Sequence, residues 1–203
     1  MNSGQKFWEK IAHRYNKQPI KNEQAYQTKL TKTKQYYNKN SKILEIGCGS
    51  GDTAIYHAPN IKHYLAVDYC QSFIQIGTAK ALDIKNLSFI QCSVEQLDMK
   101  SLDFDITLAM SLFHLVENPG QLIQKIYDNL PENGLLISST TCIKNMPFYI
   151  SWMLPVIFKL GLAPKVMVFT SDELINMIKK SGFKIDYQWQ PNKKSALFIV
   201  AKK

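Results

Sequence analysis

The chain has 203 residues, of which 45% are hydrophobic and 20% charged, which is enough to bury a sizeable core without metals or disulfides. Its four cysteines stand far apart with no Cys-x-x-Cys pair, which argues against a zinc site or a disulfide framework, and no metal is predicted. The N-terminal residues show no apolar core behind a basic segment. We therefore predict no secretory signal and a cytoplasmic protein with reduced thiols.

The formal net charge of +9 is the feature that points toward a nucleic-acid or anionic membrane partner. However, the 25 basic residues include a single arginine, Arg14. Arginine makes the bidentate contacts to bases and phosphates that most sequence-specific readers use, so its scarcity predicts no specific nucleic-acid partner. The lysine-rich run at 29–42 is interpreted as a solvated helix face.

Two helices are predicted at the N-terminus, over residues 5–16 and 22–37. The first carries aromatic residues at helical spacing, including Trp8 and Tyr15. We predict that residues 1–40 form a helical lid over the functional site.

A glycine-rich segment begins in the strand predicted at 42–46. Residues 43–51 read Ile-Leu-Glu-Ile-Gly-Cys-Gly-Ser-Gly, and such glycines let the backbone turn sharply and approach a ligand. A second strand at 63–68 ends in Asp68, where a carboxylate of a βαβ unit can accept the hydroxyl protons of a bound ribose. A dinucleotide fingerprint would place glycine where this chain has Asp52, which would repel a pyrophosphate. The segment therefore predicts a nucleoside cofactor without phosphate.

The rest of the chain alternates between strands and helices, as expected of a doubly wound parallel sheet in an α/β fold. Helices are predicted to begin at Asn118, before a proline, and at Thr170, in a capping box whose helix ends at Gly182. The last two strands are predicted to form a hairpin around a proline turn. The remaining predicted strands lie at 87–91, 104–109, 134–140, 183–189 and 196–201.

Residues 143–169 interrupt this alternation with an apolar segment between the fifth strand and the following helix. Two prolines and a lysine break it well short of the ~20 apolar residues that a membrane span requires. We predict that this insert forms an apolar wall against a small acceptor, with Phe148 and Trp152 in contact with it. An interfacial helix that docks on lipid and a helix that completes the core are alternatives left open.

At the glycine segment, residues 45–51 have the form Glu-x-Gly-x-Gly-x-Gly. With this motif the chain resembles the class I S-adenosylmethionine-dependent methyltransferases. Residues 103–114 resemble the fourth strand of that family, and residues 130–137 resemble its turn into the fifth strand. Residues 7–15 are similar to the start of its small-molecule subgroup, the ubiquinone and menaquinone biosynthesis C-methyltransferases.

The resemblance implies a Rossmann-like three-layer sandwich around a seven-stranded, mostly parallel sheet in the order 3-2-1-4-5-7-6, with strand 7 antiparallel. It also implies that residues 1–203 form one methyltransferase domain with S-adenosylmethionine as its cofactor. Many relatives carry an aspartate against the adenine amino group where this chain reads Cys-Ser-Val-Glu at 92–95, so the Ser93 hydroxyl or the backbone is left to make that contact. The implied cofactor-binding residues are Tyr15, Tyr26, Lys29, Glu45, Gly47, Cys48, Gly49, Gly51, Asp68, Tyr69, Ser93, Val94 and Met110.

Methyl transfer by in-line displacement requires mainly that the protein hold the acceptor close and aligned. His114 follows the fourth strand on the cofactor side, and an imidazole can take a proton near neutral pH. We predict that His114 is the catalytic base and an acceptor contact, with a purely structural histidine as the alternative.

Together these features predict a methyltransferase acting on a small, largely apolar acceptor that is quinone-like or lipid-like. Residues 109–112 read Ala-Met-Ser-Leu, which lacks the Asn/Asp-Pro-Pro-aromatic loop of amino-group modifiers, and no Pro-Cys nucleophile is present. RNA or protein methylation and a catalytically silent S-adenosylmethionine-binding subunit are alternatives left open. Peripheral membrane contact is also left open, and the sequence does not determine the methylated atom or the oligomeric state.

Overall fold

The structure is a computed structural model that describes residues 3–145, 153, 157–159, 161 and 163–203. The helices are α1 (Ser3–Asn16), α2 (Glu23–Lys34), α3 (Asp52–His57), α4 (Gln71–Lys80), α5 (Pro119–Asn129) and α6 (Ser171–Lys180). The strands are β1 (Lys42–Ile46), β2 (His63–Asp68), β3 (Leu87–Gln91), β4 (Ile106–Met110), β5 (Leu135–Thr140), β6 (Lys184–Trp189) and β7 (Leu197–Lys202).

The strands form one seven-stranded sheet in the order β3-β2-β1-β4-β5-β7-β6. Strands β1 to β5 run parallel, whereas β7 is antiparallel to both β5 and β6. These findings confirm the predicted fold class, strand order and antiparallel strand. The order reverses between β1 and β4, and in such sheets a crevice for ligands opens at that point beyond the carboxyl ends of the strands.

Side chains of the central strands alternate between two apolar layers, one on each face of the sheet. Leu44 of β1 lies in the layer that includes Ile126 of α5 and Leu174 of α6. The next residue toward the N-terminus, Ile43, lies in the other layer together with Ile74 of α4. The helices therefore cover both faces, which gives the three-layer arrangement.

The hairpin formed by β6 and β7 is present, but its two strands have different surroundings. Strand β6 alternates between exposed and half-buried residues because it lies at the edge of the sheet. Strand β7 is buried at five successive positions because it lies between β5 and β6 and is covered on both faces. The predicted hairpin therefore consists of one half-exposed edge strand and one buried strand.

The predicted helix termini differ in how they are stabilised. Thr170 and Glu173 form the predicted capping box at the start of α6, and Gly182 follows the end of that helix with φ of +104°. Asn118 is the N-cap of α5, but its side chain makes no capping hydrogen bond. Helix α5 instead begins with Pro119, whose missing N–H leaves one fewer donor to satisfy.

Helix α1 is fixed to the start of α4 through a carboxylate. Glu9 accepts hydrogen bonds from the Gln71 N–H at 2.6 Å, the Ser72 N–H at 3.1 Å and the Ser72 hydroxyl at 2.6 Å. The N-cap residue of α4, Cys70, makes no side-chain capping bond, so Glu9 supplies the acceptor for the free N–H groups. This contact places the N-terminal helix beside the end of β2.

Candidate functional site

A large cavity opens at the carboxyl ends of β1, β2, β4 and β5, on both sides of the point where the strand order reverses. Its volume is about 1160 Å³, which exceeds the roughly 300–1,000 Å³ that is typical of a pocket for one small ligand. Its lining runs from Ser93, after β3, to Ser139 of β5 and Ser195, before β7. The volume of the cavity is therefore large enough for two small molecules.

The loop between β1 and α3 contains three left-handed glycines, Gly47 (φ +67°), Gly49 (φ +54°) and Gly51 (φ +78°). A Cβ on Gly51 would lie 2.6 Å from the ring of Phe89, and one on Gly47 would lie 2.7 Å from Leu112. A Cβ on Gly49 would meet nothing within 4 Å, and Gly49 lines the cavity. Gly51 does not line the cavity and instead serves as the N-cap of α3. The loop thus presents bare backbone to the cavity at Gly49.

Asp68, at the end of β2, holds this loop in place. Its two carboxylate oxygens accept hydrogen bonds from the N–H of Gly49 and the N–H of Cys70, each at 2.9 Å. Burial raises the pKa of Asp68, since the carboxylate is only 6% exposed, and the backbone donors oppose that rise. Each oxygen has a second lone pair, so a carboxylate that lines the cavity can still accept ligand hydroxyl protons.

Glu45 of β1 is a second carboxyl group beside the loop. It is 1% exposed, and it accepts a hydrogen bond from the Tyr64 hydroxyl at 2.9 Å. Burial and, to a smaller extent, the negative charges of Asp68 and Asp52 raise the pKa of Glu45 to about 8, although the hydrogen bond from Tyr64 opposes the rise. At neutral pH this carboxyl group is therefore mainly protonated.

Asp52 occupies the first turn of α3, where a dinucleotide fingerprint would have its third glycine. It accepts a hydrogen bond from the Ser50 hydroxyl at 2.9 Å, and it forms an ion pair with Lys80 at 2.8 Å. Glu45, Asp52 and Asp68 all line the cavity, and we call this region the acidic end. Its charge disfavours a pyrophosphate and favours a ligand that carries positive charge.

The N-terminal helices contribute two tyrosines to the cavity. Tyr15 is 47% exposed, and its ring meets Trp8 and Phe73 edge-on, with centroids 5.4 Å and 5.9 Å apart. Tyr26 lines the cavity from α2, and burial raises its pKa. Both tyrosines therefore reach the site from the segment that was predicted to form a lid.

Two half-buried lysines of α2 contact distant parts of the fold, so the prediction of a solvated face holds only in part for them. Lys29 is half-buried, lines the cavity and donates a hydrogen bond to the Ser139 hydroxyl at 2.8 Å. Lys32 lies over the ring of Tyr187, with its ammonium 4.1 Å from the ring centroid. In both cases the partner lies far away in sequence, which the local lysine pattern could not indicate.

The cavity gathers nearly all the residues that the sequence predicts for cofactor binding. Ser93 lies at its rim, where its hydroxyl accepts a hydrogen bond from the Gln96 N–H at 3.4 Å. Gly51 is the exception, as described above. The predicted residues that line the cavity are Tyr15, Tyr26, Lys29, Glu45, Gly47, Cys48, Gly49, Asp68, Tyr69, Ser93, Val94 and Met110.

Sequence reasoning missed the β5 side of the cavity, which Ser139 and Thr141 line. A signal was present, because the apolar strand β5 ends in the polar run Ser-Ser-Thr at residues 138–140. Polar side chains at the carboxyl end of a parallel strand face the same edge as the glycine loop. Leu30 and Leu112 add apolar walls that no motif marked, and Met167 lies in the segment that was predicted to form an apolar wall.

The predicted acceptor residues are less well supported by the geometry. His114 lies in a 3-10 turn (Phe113–Leu115), and it is not among the described residues that line the cavity. Burial lowers the pKa of His114 to about 4, and its Nδ1 atom is buried without a hydrogen-bond partner. Its catalytic role stays a prediction. Phe148 and Trp152 lie outside the described residues.

Two further properties concern only the part of the chain that the structure describes. There, no group of three or more His, Cys, Asp or Glu side chains is arranged to hold a metal ion. None of the helices in that part has the length and apolar character needed to cross a membrane.

The strand order, the glycine loop and the acid at the end of β2 define a class I methyltransferase fold with a nucleoside-cofactor site. A family model described as a methyltransferase domain matches residues 37–198. The chain belongs to this family, the class I S-adenosylmethionine-dependent methyltransferases.

Several known proteins are similar to the chain. The ubiquinone biosynthesis O-methyltransferase of Rickettsia canadensis (strain McKiel) is 30% identical over 166 residues, which cover 77% of this chain and 69% of that protein. The protein of the same name from Rickettsia typhi (strain ATCC VR-144 / Wilmington) is 30% identical, and the match covers 67% of this chain and 56% of that protein. The chain thus spans between about half and two thirds of the length of these relatives.

The fold is also found in the N-methyltransferase NodS from Bradyrhizobium japonicum WM9, solved in complex with S-adenosyl-L-homocysteine. The two chains are 16% identical and superimpose with a TM-score of 0.73 over 100% of this chain and 99% of that one. The acidic end of the cavity fits the family's cofactor, because Gly49 leaves open space beside the loop and Asp68 retains free lone pairs. The carboxylates there also suit the positive charge of a sulfonium.

Proposed function

We propose that this protein transfers a methyl group from S-adenosylmethionine to a small, largely apolar acceptor with a quinone-like or lipid-like framework. The observation that carries the proposal is the cavity of about 1160 Å³, which joins the acidic end to an apolar region over β4 and β5. A cavity of this size accommodates a cofactor and an acceptor together. The names of the Rickettsia relatives, which are ubiquinone biosynthesis O-methyltransferases, support an acceptor of this class.

In this proposal the acidic end holds the cofactor. Asp68 accepts the ribose hydroxyls, and the exposed backbone at Gly49 lets the ligand approach the loop closely. Tyr69, Ser93 and Val94 line the same side and contribute to adenine recognition. When bound, S-adenosylmethionine would supply a methyl group activated on a sulfonium, which passes in line to an acceptor atom while the thioether sulfur of S-adenosyl-L-homocysteine leaves with the electron pair.

The protein then has to align the acceptor and keep water away from the reacting atoms. Leu30, Leu112 and Met167 form apolar walls next to the glycine loop and β4. The predicted insert at 143–169, with Phe148 and Trp152, adds to these walls in the proposal. A base at His114 is the least supported part, because a group with a pKa of about 4 is a weak acceptor of protons.

A radiolabelled methyl transfer assay against fractionated cell extract tests this proposal. We expect label in an organic-extractable fraction, and much less with an Asp68→Asn variant at a limiting concentration of S-adenosylmethionine. Label that is sensitive to ribonuclease or protease would favour RNA or protein methylation instead. Tight binding of S-adenosyl-L-homocysteine with no transfer to any fraction would favour a silent binding subunit. Location in the cytoplasm and peripheral membrane contact remain predictions, which fractionation of labelled cells would check.

A further inference from the structure

The two edges of the sheet are protected to different degrees. Strand β6, at one edge, carries Lys184 and Asp186, and a bulge between Ile185 and Tyr187 interrupts its pairing with β7. Charged side chains and bulges are common means by which an edge strand avoids pairing with another chain. Strand β3, at the other edge, has neither, because residues 86–94 include no charged residue and its register with β2 is regular. The β3 edge is therefore open to a further strand.

The backbone of β3 has hydrogen-bonding groups that face away from the sheet. The carbonyl of Asn86 and the N–H of Cys92 are both bonded to β2. Because alternate residues of a parallel strand bond to the same neighbour, the peptide groups of Phe89 and Gln91 face the opposite way. No strand of the described residues lies on that side. A strand added at this edge would pair with these donors and acceptors.

The side chains at this edge are apolar and incompletely covered. Ile90 is 44% exposed, although it pairs with the fully buried Val67 of β2. The connection from β3 to β4 contains a 3-10 turn, Met99–Ser101, and no α-helix, so this face of β3 is left partly open. Leu82, shortly before β3, is 80% exposed. Burial of these side chains against a partner would favour association.

A second copy of the chain matches the hydrogen-bonding pattern of this edge. In an antiparallel pair across a twofold axis at Ile90, Phe89 of one chain lies opposite Gln91 of the other. Both residues have outward peptide groups, so they form a hydrogen-bonded pair on each side of the axis. Ile90 then lies opposite its own copy in a non-hydrogen-bonded pair, where side chains are closest. The exposed isoleucine is thereby buried at the centre of the interface.

The charges that flank β3 favour the same register. Lys85 precedes the strand and Glu95 follows it, and both are exposed. Pairing about Ile90 brings Lys85 of one chain toward Glu95 of the other, and opposite charges attract. Pairing about Phe89 would instead bring Asp83 toward Glu95, which are like charges. Charge complementarity therefore supports both the second copy as the partner and the register about Ile90.

We propose that the protein forms a symmetric dimer in which the β3 edges of two chains pair antiparallel about Ile90. The two sheets then form one continuous sheet. This inference goes beyond the proposed function and does not depend on it. The interface borders the cofactor end of the cavity, because the chain passes from β3 into Ser93, Val94 and Glu95, which line the cavity.

Analytical ultracentrifugation of the full chain tests the dimer. We expect the wild type to sediment at about 47 kDa, twice the 23.3 kDa of one chain. Ile90→Lys places two ammonium groups opposite each other on the axis, so it should raise the dissociation constant of the dimer at least tenfold. Gln188→Lys is the matched control, because Gln188 is an exposed residue of the other edge strand, and it should leave the dimer unchanged. Thermal unfolding checks that each variant is folded.

Disulfide cross-linking tests the register. The two Cα atoms of a non-hydrogen-bonded pair are about 4.5 Å apart, which is within the range of a disulfide. Cys92→Ser removes the half-buried native cysteine, and the other three cysteines are buried. In that background, Ile90→Cys should form a covalent dimer on mild oxidation with copper phenanthroline. Leu82→Cys should not, although residue 82 is more exposed than residue 90.

Three results would overturn the inference. The first is a wild type that remains a monomer of 23.3 kDa at every concentration. The second is a dimer that Ile90→Lys leaves intact, and the third is a dimer that Gln188→Lys disrupts instead, which would assign the interface to β6. If Ile90→Lys unfolds, the cross-linking experiment decides, and equal cross-linking of Ile90→Cys and Leu82→Cys would contradict the pairing.

Discussion

The two ends of the cavity are built in different ways. The acidic end consists of backbone turns and carboxyl groups within one short stretch, from Glu45 to Asp68, and hydrogen bonds inside that stretch hold it together. The β5 end is assembled from distant segments, with Lys29 of α2 bonded to Ser139 across 110 residues of sequence. One end is therefore a local motif, and the other is a product of the tertiary fold.

This difference has a consequence for function. A site made by the local motif depends on the glycine conformations and can be shared by proteins with different acceptors. A site made by distant segments can change when a helix or an insert changes, while the sheet remains the same. We therefore expect the acidic end to determine the cofactor and the β5 end to determine the acceptor. The following predictions test this division, in order of decreasing effect.

The largest effect is expected for Glu45→Gln, measured as the pH dependence of stability. The pKa of Glu45 is about 8 in the folded chain against an ordinary value of 4.5. Between these values the folded chain holds a proton that the unfolded chain has released, so the wild type loses stability as pH rises. Each pH unit costs about 1.4 kcal/mol, which gives on the order of 5 kcal/mol over the whole window.

Chemical denaturation of both proteins from pH 5 to pH 9 measures this effect as a difference. The lowered pKa values of His57 and His114 act equally in both proteins and cancel. The free energy of unfolding of Glu45→Gln should increase relative to that of the wild type as the pH rises. A difference that stays constant across this range would mean that Glu45 is ionised in the folded chain, and the acidic end would then carry more charge than we infer.

The next effect separates two glycines of the same loop. Gly51→Ala would place a Cβ 2.6 Å from the ring of Phe89 at a φ of +78°, so we expect a loss of about 2–4 kcal/mol in the free energy of unfolding. Gly49→Ala meets no atom within 4 Å, so it should lose only about 1–2 kcal/mol from backbone strain. Urea denaturation measures both losses.

The same two variants should differ in the opposite sense in ligand binding. A methyl group at residue 49 enters the cavity beside the loop. The affinity of Gly49→Ala for S-adenosyl-L-homocysteine should therefore fall more than that of folded Gly51→Ala. Calorimetry at a temperature where both variants are folded gives the comparison. Equal affinities would show that the ligand does not approach the loop at Gly49.

A somewhat smaller effect is expected for Asp68→Asn. Removing the charge weakens hydrogen bonds to ribose hydroxyls that contribute about 1.5–3 kcal/mol each, so S-adenosyl-L-homocysteine should bind roughly ten to a hundred times more weakly. Asparagine keeps one acceptor oxygen, so the N–H of either Gly49 or Cys70 loses its partner and stability falls slightly. Calorimetry with a melting control separates the two losses, and unchanged affinity would remove Asp68 from the cofactor site.

The same division explains how much could be predicted from the sequence. The fold class and the glycine loop were predictable because each depends on local patterns: apolar strands, capping residues and turns that require positive φ. The strand order came instead from the resemblance to the methyltransferase family. The bounds of β7 and its burial were less predictable, because they depend on which strands lie beside it. Burial of the whole strand follows from its place between β5 and β6.

For the site, the sequence predicted the residues of the acidic end and Lys29. The lysine-rich run that includes Lys29 was interpreted as a solvated helix face, whereas Lys29 lines the cavity. The contact with Ser139 requires knowing that α2 passes over β5. His114 is the opposite case. Its position after β4 predicted a side chain in the cavity, but His114 is not among the residues that line the cavity and its Nδ1 atom is buried. Directions of side chains in such turns depend on packing that no sequence motif specifies.

The smallest effect is expected at the mouth of the cavity, where Lys165 pairs with Glu117 at 3.2 Å. Both side chains are largely exposed, at 60% and 78%, so water and salt screen their attraction. Lys165→Met and Glu117→Gln should each change the free energy of unfolding by less than about 0.5 kcal/mol. Urea denaturation measures both changes, and a loss above about 1 kcal/mol in either variant would mean that the pair is less screened than its exposure indicates.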